Sequence, residues 1–151
     1  MGKYKMYTDG SCKGTRVGGW AYVITNADDI ELGKGSDRQV NTTNNRMELQ
    51  ACIEGLKKFD PRTAEIEVFC DSAYVVNCFL QKWYVKWEKN DWQGSQGPVK
   101  NRDQWEELLK LYRAFKTPPT WKHIKGHNGN KWNEVADSMA TGQAAREVTH
   151  E

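Results

Sequence analysis

The stretch KYKMYTDGSC, residues 3–12, is the part of the chain that decides the fold. Its first residues alternate between charged or polar and apolar side chains, and this period of two predicts a β-strand. Asp9 and Gly10 follow directly, so the carboxylate is expected where the strand ends. Open α/β sheets place their ligands at the carboxyl ends of their strands. The stretch therefore predicts a strand that carries an acidic side chain to the edge of a sheet.

The periodicity of the remaining sequence predicts four further strands and at least four helices. Alternation predicts strands at about 20–24, 30–36, 66–70 and 120–125, and the first three strands of the chain are expected to form an antiparallel meander. Apolar residues at i, i+3, i+4 and i+7 predict helices that begin near Thr42 or Thr43, Ser72, Trp105 and Trp132. This order of elements describes one mixed α/β or α+β domain.

The composition limits the classes of protein to which the chain can belong. Its 151 residues fit a single domain, 1–151, and no apolar run approaches the roughly 20 residues that span a bilayer. Four cysteines without a CxxC pair indicate neither a disulfide scaffold nor a zinc site, so a cytoplasmic location is expected. The net charge is only +2, whereas proteins that bind nucleic acid by bulk electrostatics alone are usually more basic.

Four carboxylates stand out from the acidic residues of turns and solvated helix faces. Asp71 follows a predicted strand as Asp9 does, Glu48 lies early in the first helix, and Asp137 lies in the last helix. Singly, the first two could be turn formers or helix caps, Glu48 a partner of the helix dipole, and Asp137 an exposed helix acid. If the four converged, their mutual repulsion would favour hard divalent cations, and paired cations suit displacement at a phosphodiester.

Four segments in order along the chain carry a resemblance to a known family. They are YTDGSC at 7–12, TTNNRMEL at 42–49, DSAYV at 71–75, and KGHNG at 125–129 with NEVAD at 133–137. Together they resemble type 1 ribonuclease H in its bacterial form, without the N-terminal hybrid-binding domain of some members. The resemblance implies a ribonuclease H-like fold, in which a central five-stranded mixed sheet is flanked by helices.

The resemblance also implies an activity, a cofactor and a site. The activity is endonucleolytic cleavage of the RNA strand of an RNA/DNA hybrid by a monomeric enzyme, leaving 5′-phosphate and 3′-hydroxyl ends. Two Mg²⁺ ions, for which Mn²⁺ can substitute, would be held by Asp9, Glu48, Asp71 and Asp137, with Asp9 bridging them. His127 corresponds to an auxiliary histidine for proton transfer or product release. Without the resemblance, His127 would be interpreted as an exposed loop residue.

Contacts to the substrate follow from the same resemblance. Asn44 and Asn45 are expected to read the minor groove, where 2′-hydroxyl groups mark the RNA strand. Thr43 and Asn101 resemble a pocket for a phosphate of the DNA strand, although Thr43 could equally cap the first helix. His123 alternates within the fifth predicted strand and is expected to be packed.

Residues 82–104 resemble the protruding handle of the family. Its aromatic and basic side chains suit a surface that packs on sugars and meets phosphates, and the predicted contacts are Trp83, Trp87, Trp92, Lys89 and Lys100. Some of the tryptophans in and next to this segment could instead belong to the core, and we favour this interpretation for Trp105 and Trp87.

Several positions depart from the family pattern. Asn41 stands where an Arg is usual, Ala73 stands where a Gln is frequent, and the glycine-rich turn after Asp9 is one residue shorter. The handle, 82–104, carries five Lys or Arg residues against three acids, fewer net positive charges than is general. We expect these changes to affect hybrid affinity and its sensitivity to salt, without changing the reaction.

Two other classes of function remain open at this point. A non-catalytic module that binds hybrids or double-stranded RNA would share the fold, but it would not need all four carboxylates. Integrases, transposases and junction resolvases also share the fold and cut DNA. The TTNNRMEL segment and the GH pair argue against that class.

Overall fold

The computed structural model describes residues 2–14, 16–124 and 130–145. The elements in chain order are β1 (Gly2–Cys12), β2 (Gly18–Asn26), β3 (Glu31–Gln39), α1 (Asn44–Leu56), β4 (Ala64–Cys70), α2 (Ala73–Leu80), α3 (Trp83–Lys89), β5 (Gln93–Gly94), β6 (Gly97–Pro98), α4 (Arg102–Ala114), β7 (Thr120–His123) and α5 (Lys131–Ala145). None of these helices is both long and apolar enough to cross a bilayer, in the part of the chain that is described.

Five strands form the central sheet in the order β3-β2-β1-β4-β7. β1, β2 and β3 pair antiparallel, whereas β4 runs parallel to β1 and β7 runs parallel to β4. The prediction of a mixed five-stranded sheet with an antiparallel first half is therefore confirmed. Because β1, β4 and β7 are parallel, their carboxyl ends meet at one edge of the sheet.

Both faces of the sheet are covered, as the alternation of β1 requires. Met6 and Tyr7 are neighbours in the strand, and their side chains belong to different buried clusters. Met6 packs in the larger cluster with residues of α1, such as Leu49, while Tyr7 packs in the smaller cluster with residues of α5, such as Ala136. The two helices therefore approach the ends of β1 and β4 from opposite faces.

The handle consists of α3 and a two-stranded hairpin. Sequence periodicity predicted that 82–104 would not form one element, and the structure agrees. The hairpin pairs Gln93 with Pro98, and its second strand begins at Gly97 with a positive φ of 109°, a backbone conformation that glycine adopts without strain. Two-residue strands are too short to produce an alternating pattern, so the sequence did not predict this hairpin.

Candidate active site

The register of two parallel strands places Asp9 beside Asp71. Thr8 of β1 pairs with Cys70 of β4, and the two aspartates are the residues that follow this pair. Asp9 is almost fully buried at 3% exposure, whereas Asp71 is half-buried. The expectation that both carboxylates lie at one edge of the sheet therefore agrees with the strand pairing.

Glu48 reaches this edge because α1 passes close to the end of β1. A side chain at Gly10 would collide with the backbone of Met47 and Glu48, so the approach requires a glycine there. The N–H of Gly10 donates to Oδ1 of Asp9 at 2.9 Å and to Oε1 of Glu48. One backbone group thus orients two carboxylates, and Glu48 is only 6% exposed.

Asp137 arrives from the opposite face of the sheet on α5. It is half-buried, and a hydrogen bond with Asp9 links the two carboxyl groups. The position follows from the packing of α5, whose Ala136 and Ala140 lie fully buried against the sheet. The structure therefore brings together all four carboxylates predicted as metal ligands.

Burial and mutual repulsion suppress ionisation within this cluster. Burial, the hydrogen bond with Asp137 and the charge of Asp71 raise the pKa of Asp9 to about 8. The pKa of Glu48 lies well above its usual value, mainly because of burial and then because of Cys70, Asp71 and Asp9. Carboxyl groups that cannot all ionise together become compatible with full ionisation when a cation lies between them.

The carboxylates of this cluster fit a hard divalent cation. One ligand atom from each of Glu48, Cys70 and Asp71 lies within 4.8 Å of the others, and Asp9 contacts Glu48 and Asp137 in the same cluster. Carboxylate oxygens are the ligands that Mg²⁺ and Mn²⁺ prefer. The sequence reasoning missed Cys70, although its position directly before Asp71 could have drawn attention to it.

Of the two histidines considered in the sequence, His127 and His123, the structure describes only His123. His127 falls in 125–129, outside the described residues, so its role stays a prediction. His123, expected to be packed, is exposed, and its Nε2 lies 3.0 Å from the backbone oxygen of Asp71. That expectation was wrong because β7 is an edge strand, and its last residue lies next to Cys70 at the end of the sheet.

The residues predicted to contact substrate lie mainly on the surface. Thr43, Asn44 and Asn45 are exposed at the start of α1, and the hydroxyl of Thr43 caps the helix by accepting from the N–H of Arg46 at 3.2 Å. The capping interpretation of Thr43 is therefore correct, and it leaves the side chain accessible. Asn101 is half-buried at the start of α4, while Lys89 and Lys100 are exposed.

The handle tryptophans divide differently from the prediction. Trp92 is 7% exposed and belongs to the large core cluster, so its ring supports the handle from beneath instead of facing solvent. Trp83 and Trp87 are partly buried, and their ring centroids lie 6.3 Å apart. Trp105 is fully buried, as expected. Among these rings, Trp83 and Trp87 are the two that retain partial exposure.

Comparison with known proteins agrees with the fold. The family model described as RNase H matches residues 1–145. The chain is 41% identical to Ribonuclease H of Thermoanaerobacter sp. (strain X514) over 149 residues, covering 94% of this chain and 90% of the relative. It is 38% identical to Ribonuclease H of Caldanaerobacter subterraneus subsp. tengcongensis over 151 residues, covering 95% and 92% of the two chains.

Among solved structures, the chain is similar to LC9-RNase H1, a type 1 RNase H with the type 2 active-site motif. The TM-score is 0.82 at 25% identity, and the match covers 95% of this chain and 72% of the other. Clustered carboxylates at the edge of a mixed sheet are compatible with metal-dependent hydrolysis of phosphodiester bonds. The chain belongs to the ribonuclease H family.

Proposed function

We propose that this chain cleaves the RNA strand of RNA/DNA hybrids endonucleolytically, using two Mg²⁺ ions and leaving 5′-phosphate and 3′-hydroxyl ends. The observation that carries the proposal is the convergence of Asp9, Glu48, Asp71 and Asp137 from two strands and both helix layers. A module that only binds hybrids would gain nothing from suppressing the ionisation of its own buried carboxyl groups.

The four carboxylates are the proposed ligands and would hold the two ions. Bound metal would supply activation of a water and charge stabilisation of the leaving oxygen. The protein contributes orientation, since the N–H of Gly10 holds both Asp9 and Glu48. It also contributes a dry environment for these two residues, which strengthens their interaction with positive charge. His127 is proposed as the auxiliary group that assists proton transfer or product release.

Strand discrimination is assigned to the exposed start of α1 and to the handle. The amides of Asn44 and Asn45 both donate and accept, so they suit the 2′-hydroxyl groups and base edges of the minor groove. Thr43 and Asn101 would hold a phosphate of the DNA strand. Trp83, Trp87, Lys89 and Lys100 would contact its sugars and phosphates beyond that point. We further propose a cytoplasmic monomer that accepts Mn²⁺ in place of Mg²⁺.

A panel of end-labelled substrates tests this proposal. The protein is incubated with Mg²⁺ and an RNA/DNA hybrid, the matching DNA duplex, double-stranded RNA or single-stranded RNA. We expect cleavage of the hybrid RNA alone, and products whose 5′ ends lose phosphate to a phosphatase. Cleavage of duplex DNA at a comparable rate would instead favour the integrase and resolvase class. Tight hybrid binding without any cleavage would favour a binding module.

A further inference from the structure

Asn101 begins α4 but does not cap the helix with its side chain. It has a left-handed backbone with φ of 63°, and its amide makes no bond to the N–H groups of the first turn. Capping is the usual role of Asn at this position. Here the amide oxygen instead accepts from Nη1 of Arg46 at 3.3 Å, and the amide nitrogen donates to the hydroxyl of Tyr74 at 3.3 Å.

Arg46 connects the two residues that we assign to the DNA phosphate. Its backbone N–H donates to the hydroxyl of Thr43, and its guanidinium donates to Asn101. The same guanidinium forms a two-pronged ion pair with Asp103, at 3.1 and 2.8 Å. Because Asp103 neutralises it, Arg46 is better placed to organise the pocket than to supply the charge that attracts a phosphate.

Tyr74 holds the other side of the amide from α2, three residues beyond Asp71. Its hydroxyl accepts from Nε1 of Trp105 at 2.7 Å as well as from Asn101. The indole nitrogen can only donate, so the hydroxyl oxygen must face it. Since Trp105 is fully buried, the position of the hydroxyl is fixed by the core.

These contacts determine which way the amide of Asn101 points. A guanidinium has no acceptor, so the amide oxygen must face Arg46 and the amide nitrogen must face Tyr74. One of the two amide N–H groups is then used by Tyr74, and the other, which has no partner among the described residues, can donate. A flipped amide would present its oxygen instead, and an oxygen repels a phosphate.

We propose that Arg46 and Tyr74 are positioning residues that fix the amide of Asn101 so that it donates to a phosphate of the DNA strand. This inference rests on the proposed function and identifies how the protein would recognise the DNA strand of the hybrid. We therefore expect substitution of Arg46 or Tyr74 to weaken substrate binding only when Asn101 is present. The chemical step at the carboxylates should change little.

The test is a double-mutant cycle measured as KM and kcat on a hybrid substrate. Arg46→Met keeps the aliphatic stem and removes the donors, and Tyr74→Phe keeps the ring and removes the hydroxyl. Loss of one such hydrogen bond corresponds to a rise in KM of about 5-fold. We expect this rise with kcat changed less than about twofold, and no further rise when either change is added to Asn101→Ala.

Matched variants separate positioning from general stability. Arg62→Met removes a two-pronged pair with Asp60 just before β4, at the opposite end of the sheet, and should leave KM unchanged. Glu107→Gln removes an ion pair that holds α4 to Lys57 just beyond the end of α1 and makes no contact with Asn101, so its KM should stay within about twofold of the parent value. Thermal unfolding of every variant shows which have lost stability, and Tyr74→Phe is expected to do so because it leaves the indole N–H of Trp105 unpaired.

Three outcomes would overturn the inference. One is an unchanged KM in Arg46→Met, and another is an effect that multiplies with that of Asn101→Ala. The third is an equal rise in Glu107→Gln, which would trace the effect to docking of α4. Each is distinguishable from failure of the proposed function, because in each the parent protein still cleaves the hybrid.

Discussion

The thiol of Cys70 lies 3.8 Å from Oε2 of Glu48, at the end of β4 and within the carboxylate cluster. A hydrogen bond with Cys52 and burial hold the pKa of Cys70 well above its usual range, so the thiol is protonated and acts as a donor. The buried face of Glu48 is therefore supported by a weak S–H donor, while the other carboxyl oxygen accepts from Gly10.

Removal of this donor should weaken metal binding. In Cys70→Ala we expect the Mg²⁺ concentration for half-maximal cleavage to rise by about 2- to 5-fold, because support of the carboxylate orients a metal ligand. For Cys70→Ser we expect a Mg²⁺ concentration between those of the parent protein and Cys70→Ala. Cys78→Ala, a buried cysteine on α2, is the matched control. An equal rise in the control would assign the effect to packing.

The raised pKa of Asp9 predicts how pH affects the metal-free protein. The pKa of Asp9 in the folded protein is about 8, far above the ordinary value of an aspartate, so ionisation opposes folding, increasingly as pH rises from about 4 to 8. Asp9→Asn cannot ionise and should raise the free energy of unfolding by roughly 1–3 kcal/mol at pH 8, and by little at pH 4. Denaturant unfolding in EDTA measures this. Asp28→Asn, in the exposed β2–β3 turn, should show no such gain, and an equal gain there would contradict the account.

Metal binding should release protons for the same reason. Below pH 8 a protonated Asp9 must ionise before it can hold a cation, so the apparent affinity for Mg²⁺ should increase from pH 6 to 8 and level off above. Calorimetric titration in two buffers of different ionisation enthalpy detects the released protons. Affinity that is constant over this range, with no proton release, would show that the cations bind elsewhere.

The lysines of the handle should contribute to affinity in a salt-dependent way. Lys89→Gln and Lys100→Gln each remove an exposed charge, and each should reduce the slope of log affinity against log salt by about 1. Lys58→Gln, exposed beyond the end of α1, removes the same charge outside the handle and should leave the slope unchanged. Slopes that do not differ among the three variants would argue against a handle that contacts phosphates.

The tryptophans of the handle are expected to differ in what their substitution changes. Trp83 and Trp87 retain partial exposure, whereas Trp92 is packed in the core. We expect Trp83→Ala to raise KM for the hybrid by about 5-fold or more, since stacking contacts are worth about 1–3 kcal/mol each, with little loss of stability. Trp92→Ala should instead lower the free energy of unfolding by about 3–5 kcal/mol. Urea unfolding and steady-state kinetics measure the two effects. If Trp92→Ala raised KM and Trp83→Ala lowered the free energy of unfolding, Trp92 would be the surface contact instead.

The sequence predicted those features that depend on local pattern. The alternation of β1 and β4, and the acidic residue after each, placed Asp9 and Asp71 at strand ends, and the parallel register then made them neighbours. Features that depend on packing between distant elements escaped prediction. The burial of Trp92, the exposure of His123 and the contact of Cys70 with Glu48 each arise where segments far apart in the chain meet.

Cleavage of a labelled hybrid by the parent protein and by Asp9→Asn, side by side in Mg²⁺, tests whether the carboxylate cluster is the catalytic metal site. We expect the parent to cut the RNA strand only. The variant should fold and bind the hybrid but not turn over, because a proposed metal ligand is gone without a change of shape. Full activity of Asp9→Asn, or the absence of RNA cleavage by the parent protein, would contradict the assignment of this carboxylate cluster as the catalytic metal site.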